Sequence, residues 1–364
     1  MYRRGRLHRR NRVAWTWFVY FTLSSAIWAF YFGIFRDNLN DGLSLFLGLE
    51  GISSGVFVSS LVTPGRRRVV IVAKARNSFT AMIEQGLTER LRQHQGWDII
   101  PRTPPMVEAA ESSHGVTELL GSLDARNADA IVCVAGDVDE HLHMAVLERI
   151  REGITVITCD ARLDDDYFFG HDMPPPRYVG SNFTQGGREV ANYIRQRAAK
   201  DDLIFVFCGP SGNRPAVERG RVALYELMLS EYASSVHTVP IRSFERGEVR
   251  EKFTRLVLQR IEALGHVGRV FVYCGNDENA QIIESCIQTA NNPKVQYQLV
   301  GYDGVRTPTS SLMVESCQHV VATVNTLPQQ LGQSAADMLL AVRGRSAEAD
   351  RKALIINPTL WERS

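Results

Sequence analysis

From Val69 onward the chain alternates apolar runs of strand length with segments whose apolar residues recur at helical spacing, and few folds accommodate such a pattern. Val69 to Ala73 reads as a buried strand, and Phe79, Met82, Ile83, Leu87 and Leu91 then mark one face of a helix. Strands are predicted near 98–100, 130–134, 154–159 and 178–180, with helices over 115–123 and 141–151 between them. A second series follows: strands 203–208, 236–240, 269–273, 297–301, 320–324 and 353–356, and helices 186–197, 215–231, 247–263, 277–290 and 328–342. Repeated βαβ units imply parallel sheets with right-handed crossovers. At 364 residues the chain is too long for one core, which rarely grows beyond about 250 residues, so two similar lobes are expected. Between Arg162 and Arg177 the alternation breaks at Asp164-Asp165-Asp166 and Pro174-Pro175-Pro176, read as a surface loop before a crossover.

The first 65 residues differ in kind. Residues 1–12 form a basic tail with six arginines and no acid, which suits nucleic acid or, directly before an apolar span, the cytoplasmic side of a membrane. The membrane reading is preferred. Residues 13–35 carry no charge and are long enough to cross a bilayer as a helix, with Trp15, Trp17 and Tyr20 near one end and Trp28 and Tyr31 near the other. A cleaved signal peptide would show a shorter apolar core and a small-residue cleavage site, so a retained anchor is expected. Residues 36–65 form a linker whose apolar stretch 43–62 holds Gly51 and Gly55 at helix-packing spacing but also Glu50. A second span would hold the soluble part in the cytoplasm beside Arg66, Arg67 and Arg68; an interfacial helix would leave it outside.

Bulk composition excludes little. A formal charge of +1 points to no polyanionic partner. Six cysteines lie mostly in or beside apolar strands without metal-site or framework spacing, which favours buried free thiols over disulfides. His141 and His143 are two apart on a predicted helix and do not share a face, so they make no metal pair. No P-loop, dinucleotide fingerprint or Gly-x-Ser-x-Gly is present.

The polar residues gather at the carboxyl ends of the predicted strands, where open α/β sheets bind ligands. Asn276, Asp277 and Asp303 are the first candidates, since two strands end at them. Lys74, Arg76, Asn77, Phe79, Asp137, Asp160, Arg162, Ser181, Asn182, Asn213, Arg214, Arg219, Phe244, Asn325 and Thr326 occupy equivalent places. Acids, amides and guanidinium groups interleaved with rings suit a polyhydroxylated ligand. Each residue alone could equally cap a helix or make a surface pair.

Their order along the chain resembles a periplasmic binding protein of the ribose-binding, LacI-like type. The resemblance rests on Ala75-Arg76-Asn77-Ser78-Phe79, Val156-Ile157-Thr158-Cys159-Asp160, Val179-Gly180-Ser181-Asn182, Glu218-Arg219-Gly220, Gly275-Asn276-Asp277-Glu278 and Val300-Gly301-Tyr302-Asp303-Gly304. Ala322-Thr323-Val324 with Leu327-Pro328 completes it. It implies two Rossmann-like lobes joined by three hinge strands, an N-lobe of 66–180 plus 326–352 and a C-lobe of 181–325 plus 353–364. Ligand contacts are implied at Asn77, Phe79, Asp160, Arg219, Phe244, Asn276 and Asp303, with hinges near Ser181, Thr326 and the segment after Asp303. The chain departs from the ribose-type pattern in having Ala161 in place of an Arg after the acid, and Thr326 in place of a hinge Gln, so ribose is not assigned. Lys74, Arg76 and Arg214 suit an anionic ligand or, as the preferred reading, form rim charge.

The function implied is a membrane-tethered receptor, not an enzyme, that closes on a sugar or polyol and presents it to an ABC-type permease or a signalling partner, facing outward from the cell membrane. No cofactor, metal or nucleic-acid partner is expected. A cytoplasm-facing sensor is the alternative, and an enzyme acting on a sugar-like substrate is a further one. A DNA-binding regulator would need an N-terminal helix-turn-helix, where this chain has an apolar span.

Overall fold

The computed structural model describes residues 67–73, 77–94, 96–102, 112–265, 268–306, 311–344 and 352–363. The basic tail, the expected span 13–35, the apolar stretch 43–62, and Lys74 and Arg76 lie outside the described residues. Among the described residues no helix is long and apolar enough to cross a membrane.

The first half runs β1 (Arg67–Ala73), α1 (Ser78–Arg92), β2 (Trp97–Arg102), α2 (Ser112–Gly121), α3 (Leu123–Arg126), β3 (Ala130–Ala135), α4 (Glu140–Arg151), β4 (Thr155–Asp160), α5 (Asp165–Phe169) and β5 (Arg177–Ser181). The second half runs α6 (Phe183–Arg197), β6 (Leu203–Cys208), α7 (Arg214–Met228), β7 (Val236–Pro240), α8 (Arg246–Lys252), a π-helical stretch Phe253–Leu258, α9 (Gln259–Ala263), β8 (Gly268–Tyr273), α10 (Asp277–Ala290), β9 (Val295–Asp303) and β10 (Val320–Asn325). Last come α11 (Pro328–Gly344), β11 (Ala353–Ile356) and β12 (Thr359–Glu362). The expected loop 162–177 contains the short α5, whose first amides are capped by the Asp164 carboxylate.

Two six-stranded sheets result, ordered β11-β5-β4-β3-β1-β2 and β12-β10-β9-β8-β6-β7. Neighbours pair in parallel, as with β1 on β3 and β8 on β9, while β12 runs antiparallel to β10. Each sheet is covered on both faces, so its strands are apolar on both. Along β1, Val69, Ile71 and Ala73 pack under α1 and α11, whereas Val70 and Val72 face α2 and α4. Along β6, Phe205 and Phe207 face α8 and α10, and Ile204 and Val206 face α6 and α7. Side chains alternate across a strand, which is why four cores form from two sheets. Truncating the buried Ile71 or Ile204 to Ala costs about 2–5 kcal/mol.

Helices α1 and α11 cross at backbone distance. A Cβ on Gly86 would lie 2.0 Å from the Gln329 carbonyl oxygen, and one on Gly332 the same 2.0 Å from that of Ile83. Only glycine fits at either position.

The chain passes between the two sheets three times: from β5 into α6 and β6, from β10 into α11, and from β11 to β12. The first two passages fall near Ser181 and Thr326, as the sequence implies. The third lies at 357–358 rather than after Asp303. Strand β11 pairs with β5, so 353–356 extends the first sheet, and only β12 joins the second. The sequence reading assigned 353–364 wholly to the C-lobe. A four-residue apolar strand carries no mark of which sheet it will join, and pairing with β5 alone decides it.

Candidate functional site

Asp160 ends β4 in the first lobe and Asp303 ends β9 in the second, both with left-handed backbone at φ of 70° and 100°. Aspartate tolerates this region better than most residues because its short side chain can bond locally. Such conformations cost about 1–3 kcal/mol and cluster at ligand sites. Arg219, buried on α7, reaches Asp303. Its Nη1 donates to Asp303 Oδ1 at 3.0 Å and its Nη2 to the Gly275 carbonyl at 2.9 Å, while its guanidinium lies 4.2 Å above the Tyr302 ring. Its Nε has no partner among the described residues.

The electrostatics show that the three groups share one environment. Burial pushes the Asp160 carboxyl up to about 7; Arg219 draws it down and Asp303 pushes it further up. Asp303 is raised by burial, against the opposing pull of Arg219. The side chain of Asp160 accepts no hydrogen bond among the described residues; its backbone carbonyl accepts one from the Tyr178 hydroxyl at 3.0 Å.

A second meeting of the lobes occurs at helix starts. Asn77 caps α1, its Oδ1 accepting from Thr80 N at 2.9 Å, and Asn276 caps α10, its Oδ1 accepting from Asn279 N at 2.7 Å. The Ser78 amide draws the Glu278 carboxyl down against burial and Asp303, which push it up, so the two N-termini lie near each other. Both asparagines therefore do what a cap does, which leaves their NH2 groups as the part able to reach a ligand. Phe79 is half-buried against the first-lobe core and Phe244 against the second. Phe244 also lies 3.6 Å from where a Cβ on Gly275 would stand. The lobes touch again where Val138 N donates to the Gly212 carbonyl at 3.3 Å and Asp137 bridges Asn213.

Asp277, a first candidate by sequence, is turned away from the cleft. It is fully buried, accepting from Thr323 Oγ1 at 2.6 Å and from Val305 N at 2.9 Å, and burial pushes it up to about 7. Strand-end position alone does not tell inward from outward at the first helical residue. Glu278, Tyr178 and Tyr302 were missed as site-forming residues. Glu278 had a readable signal, being the acid in the first turn of a helix whose start faces the cleft. Thr326 ties the hinge: its amide and hydroxyl both donate to the Asp303 carbonyl, at 3.2 and 3.0 Å. Beside Asp160 opens a cavity of about 770 Å³ whose walls include Tyr178 and Ser181 from the first sheet and Arg214 and Glu218 from α7.

Two α/β lobes with parallel sheets, three crossings and strand-end acids converging between them define a hinged, two-lobed binding protein. The family described as periplasmic binding protein domain matches residues 68–346, and the chain belongs to it. Solved structures agree on the fold. A periplasmic solute-binding protein of an ABC transporter from Actinobacillus succinogenes, with bound D-allose, is 19% identical, with 81% of this chain and 97% of that one covered and a TM-score of 0.64. The Caulobacter myo-inositol binding protein is 15% identical, covering 82% and 94%, at a TM-score of 0.64. The fructose-binding periplasmic domain of a hybrid two-component system is 17% identical, covering 82% and 91%, at a TM-score of 0.65. A search of curated proteins returned no match.

Proposed function

We propose that this chain is a membrane-tethered receptor for a sugar or sugar-like polyol, held between its lobes by Asn77, Phe79, Asp160, Arg219, Phe244, Asn276 and Asp303. The observation that carries this reading is the buried Arg219–Asp303 pair at the end of β9, whose charges act on Asp160 of the other lobe. Carboxylates and a guanidinium at strand ends accept from and donate to adjacent hydroxyls, and half-buried Phe79 and Phe244 offer faces for the C–H side of a ring. The D-allose and myo-inositol carried by the structural relatives belong to this ligand class. The bound ligand takes no part in a covalent step. Closing on it is a hinge motion stabilised by contacts present only when the lobes are shut.

Residues 13–35 supply the anchor, and the soluble part faces outward, where a permease of the ABC type receives the ligand. A signalling partner is the second reading, favoured by the relative that is one domain of a two-component system. Thermal unfolding against a panel of monosaccharides and cyclitols tests the binding. A ligand at 100 times its Kd adds about 2.7 kcal/mol of stability. Asp303→Ala and Asn276→Ala abolish the shift while the variants stay folded. A panel without any shift, or variants that bind normally, refutes the site. Cysteines placed near Arg66 and in the loop 163–177, labelled in intact cells, report the side of the membrane.

A further inference from the structure

We propose that Tyr302 is the positioning residue of this cleft: its ring sets the plane of the Arg219 guanidinium, and Gly186 and Gly187 of α6 make room for the stack. The inference rests on the cleft being a sugar site in which Arg219 donates to the ligand. An arginine side chain is long and costly to order, so a guanidinium that must meet hydroxyls in one geometry has to be held before they arrive. Two bonds hold Arg219 within its own plane, Nη1 to Asp303 Oδ1 at 3.0 Å and Nη2 to the Gly275 carbonyl at 2.9 Å. They leave the plane free to tilt about the line that joins them. Tyr302 removes that freedom, since the guanidinium carbon lies 4.2 Å from the centre of its ring, within cation–π range. Each Nη then keeps one further N–H for a ligand acceptor. The ring is fully buried and reaches no ligand itself, and its hydroxyl has no partner among the described residues, so the face of the ring is the part that acts. Tyr302 also directly precedes Asp303, so the end of β9 supplies both the in-plane acceptor and the platform.

The neighbouring helix is cut to fit. Gly186 and Gly187 lie inside α6, where glycine weakens a helix relative to alanine. A Cβ on Gly186 would stand 1.9 Å from the Tyr302 hydroxyl oxygen and 2.8 Å from the ring carbon that bears it. One on Gly187 would stand 2.6 Å from the Arg219 carbonyl oxygen. The first glycine admits the platform, and the second admits the helix that carries the guanidinium. Tyr273 meets Tyr302 edge to face, with ring centroids 6.3 Å apart, and stiffens the platform further.

The test reads Arg219 directly and the ligand separately. In the full chain carrying isotope-labelled arginine, the Arg219 Nε–H signal is the one missing from Arg219→Lys, and the ring current of Tyr302 shifts it upfield. Tyr302→Phe keeps that shift and Tyr302→Leu loses it. Titration calorimetry with D-allose, D-fructose and myo-inositol gives the second readout. Tyr302→Phe binds within about twofold of the parent chain, whereas Tyr302→Leu binds about tenfold more weakly. Gly186→Ala, which leaves every core ring in place, also weakens binding, and adding Tyr302→Phe to it restores part of the loss because the colliding hydroxyl is gone. An Nε–H signal unmoved in Tyr302→Leu, or Gly186→Ala binding as tightly as the parent, would overturn the role given to Tyr302. A parent chain that binds none of the three compounds would count against the sugar site, and the Nε–H signal still decides whether Tyr302 holds Arg219.

Discussion

Replacing Asp160 by Asn removes a charge that the folded protein holds at a cost. Its carboxyl ordinarily titrates near 3.9, and burial pushes it up to about 7 in the fold. Between those two values the folded state keeps a proton that the unfolded state has lost, so stability falls as pH rises through that window and is level above it. About three pH units at 1.36 kcal/mol each give at most about 4 kcal/mol of destabilisation at pH 8. Asn keeps the shape and adopts the left-handed φ of 70° as readily as Asp, so the exchange isolates the charge. Asp160→Asn is therefore expected to stabilise the ligand-free protein by up to about 4 kcal/mol at pH 8, roughly 6–8 °C in Tm for a fold of this size, and to change little at pH 4. Urea unfolding at pH 4, 5, 6, 7 and 8 reads both the size and the slope. The slope flattens without vanishing, because Asp277, also pushed up to about 7, keeps its own share. A variant that is neutral or less stable at pH 8, or that keeps the parent slope, refutes the claim that the cleft holds Asp160 under electrostatic strain.

Two further outcomes follow from packing and hydrogen bonding. Gly332→Ala drives a methyl group to 2.0 Å from the Ile83 carbonyl and separates α11 from α1, costing about 1–3 kcal/mol or more in denaturant unfolding; an unchanged midpoint would mean that the two helices do not touch there. Thr323→Val deletes the 2.6 Å donor to Asp277 and costs about 1.5–3 kcal/mol at pH 8, where the acid is charged, with a smaller loss at pH 5; an equal loss at both would remove charge from the explanation.

The alternation of apolar strands and amphipathic helices was legible because it is written at every position. Strands 203–208, 236–240 and 353–356 and helix 277–290 fall on the residues expected from the pattern. Sheet membership was not legible for β11, where four apolar residues pair with β5 only once the rest of the sheet is in place. Strand β12 escaped notice altogether, its Thr359-Leu360-Trp361-Glu362 being too short to show a period. Asp160 and Asp303 end β4 and β9, and Arg219 lies on α7, where the pattern placed them. The inward turn of Asp277 depended on a hydroxyl 46 residues away, at Thr323, and on the amide of Val305, which local pattern does not encode.

Only two residues separate the short strands β11 and β12, yet each closes a margin of a different lobe. During synthesis, neither half can acquire its outermost ribbon until residues 353–362 have left the ribosome. This stretch thereby fastens both halves at once and adds the third strap between them, so a truncation before Ala353 is expected to loosen the whole molecule rather than one side of it.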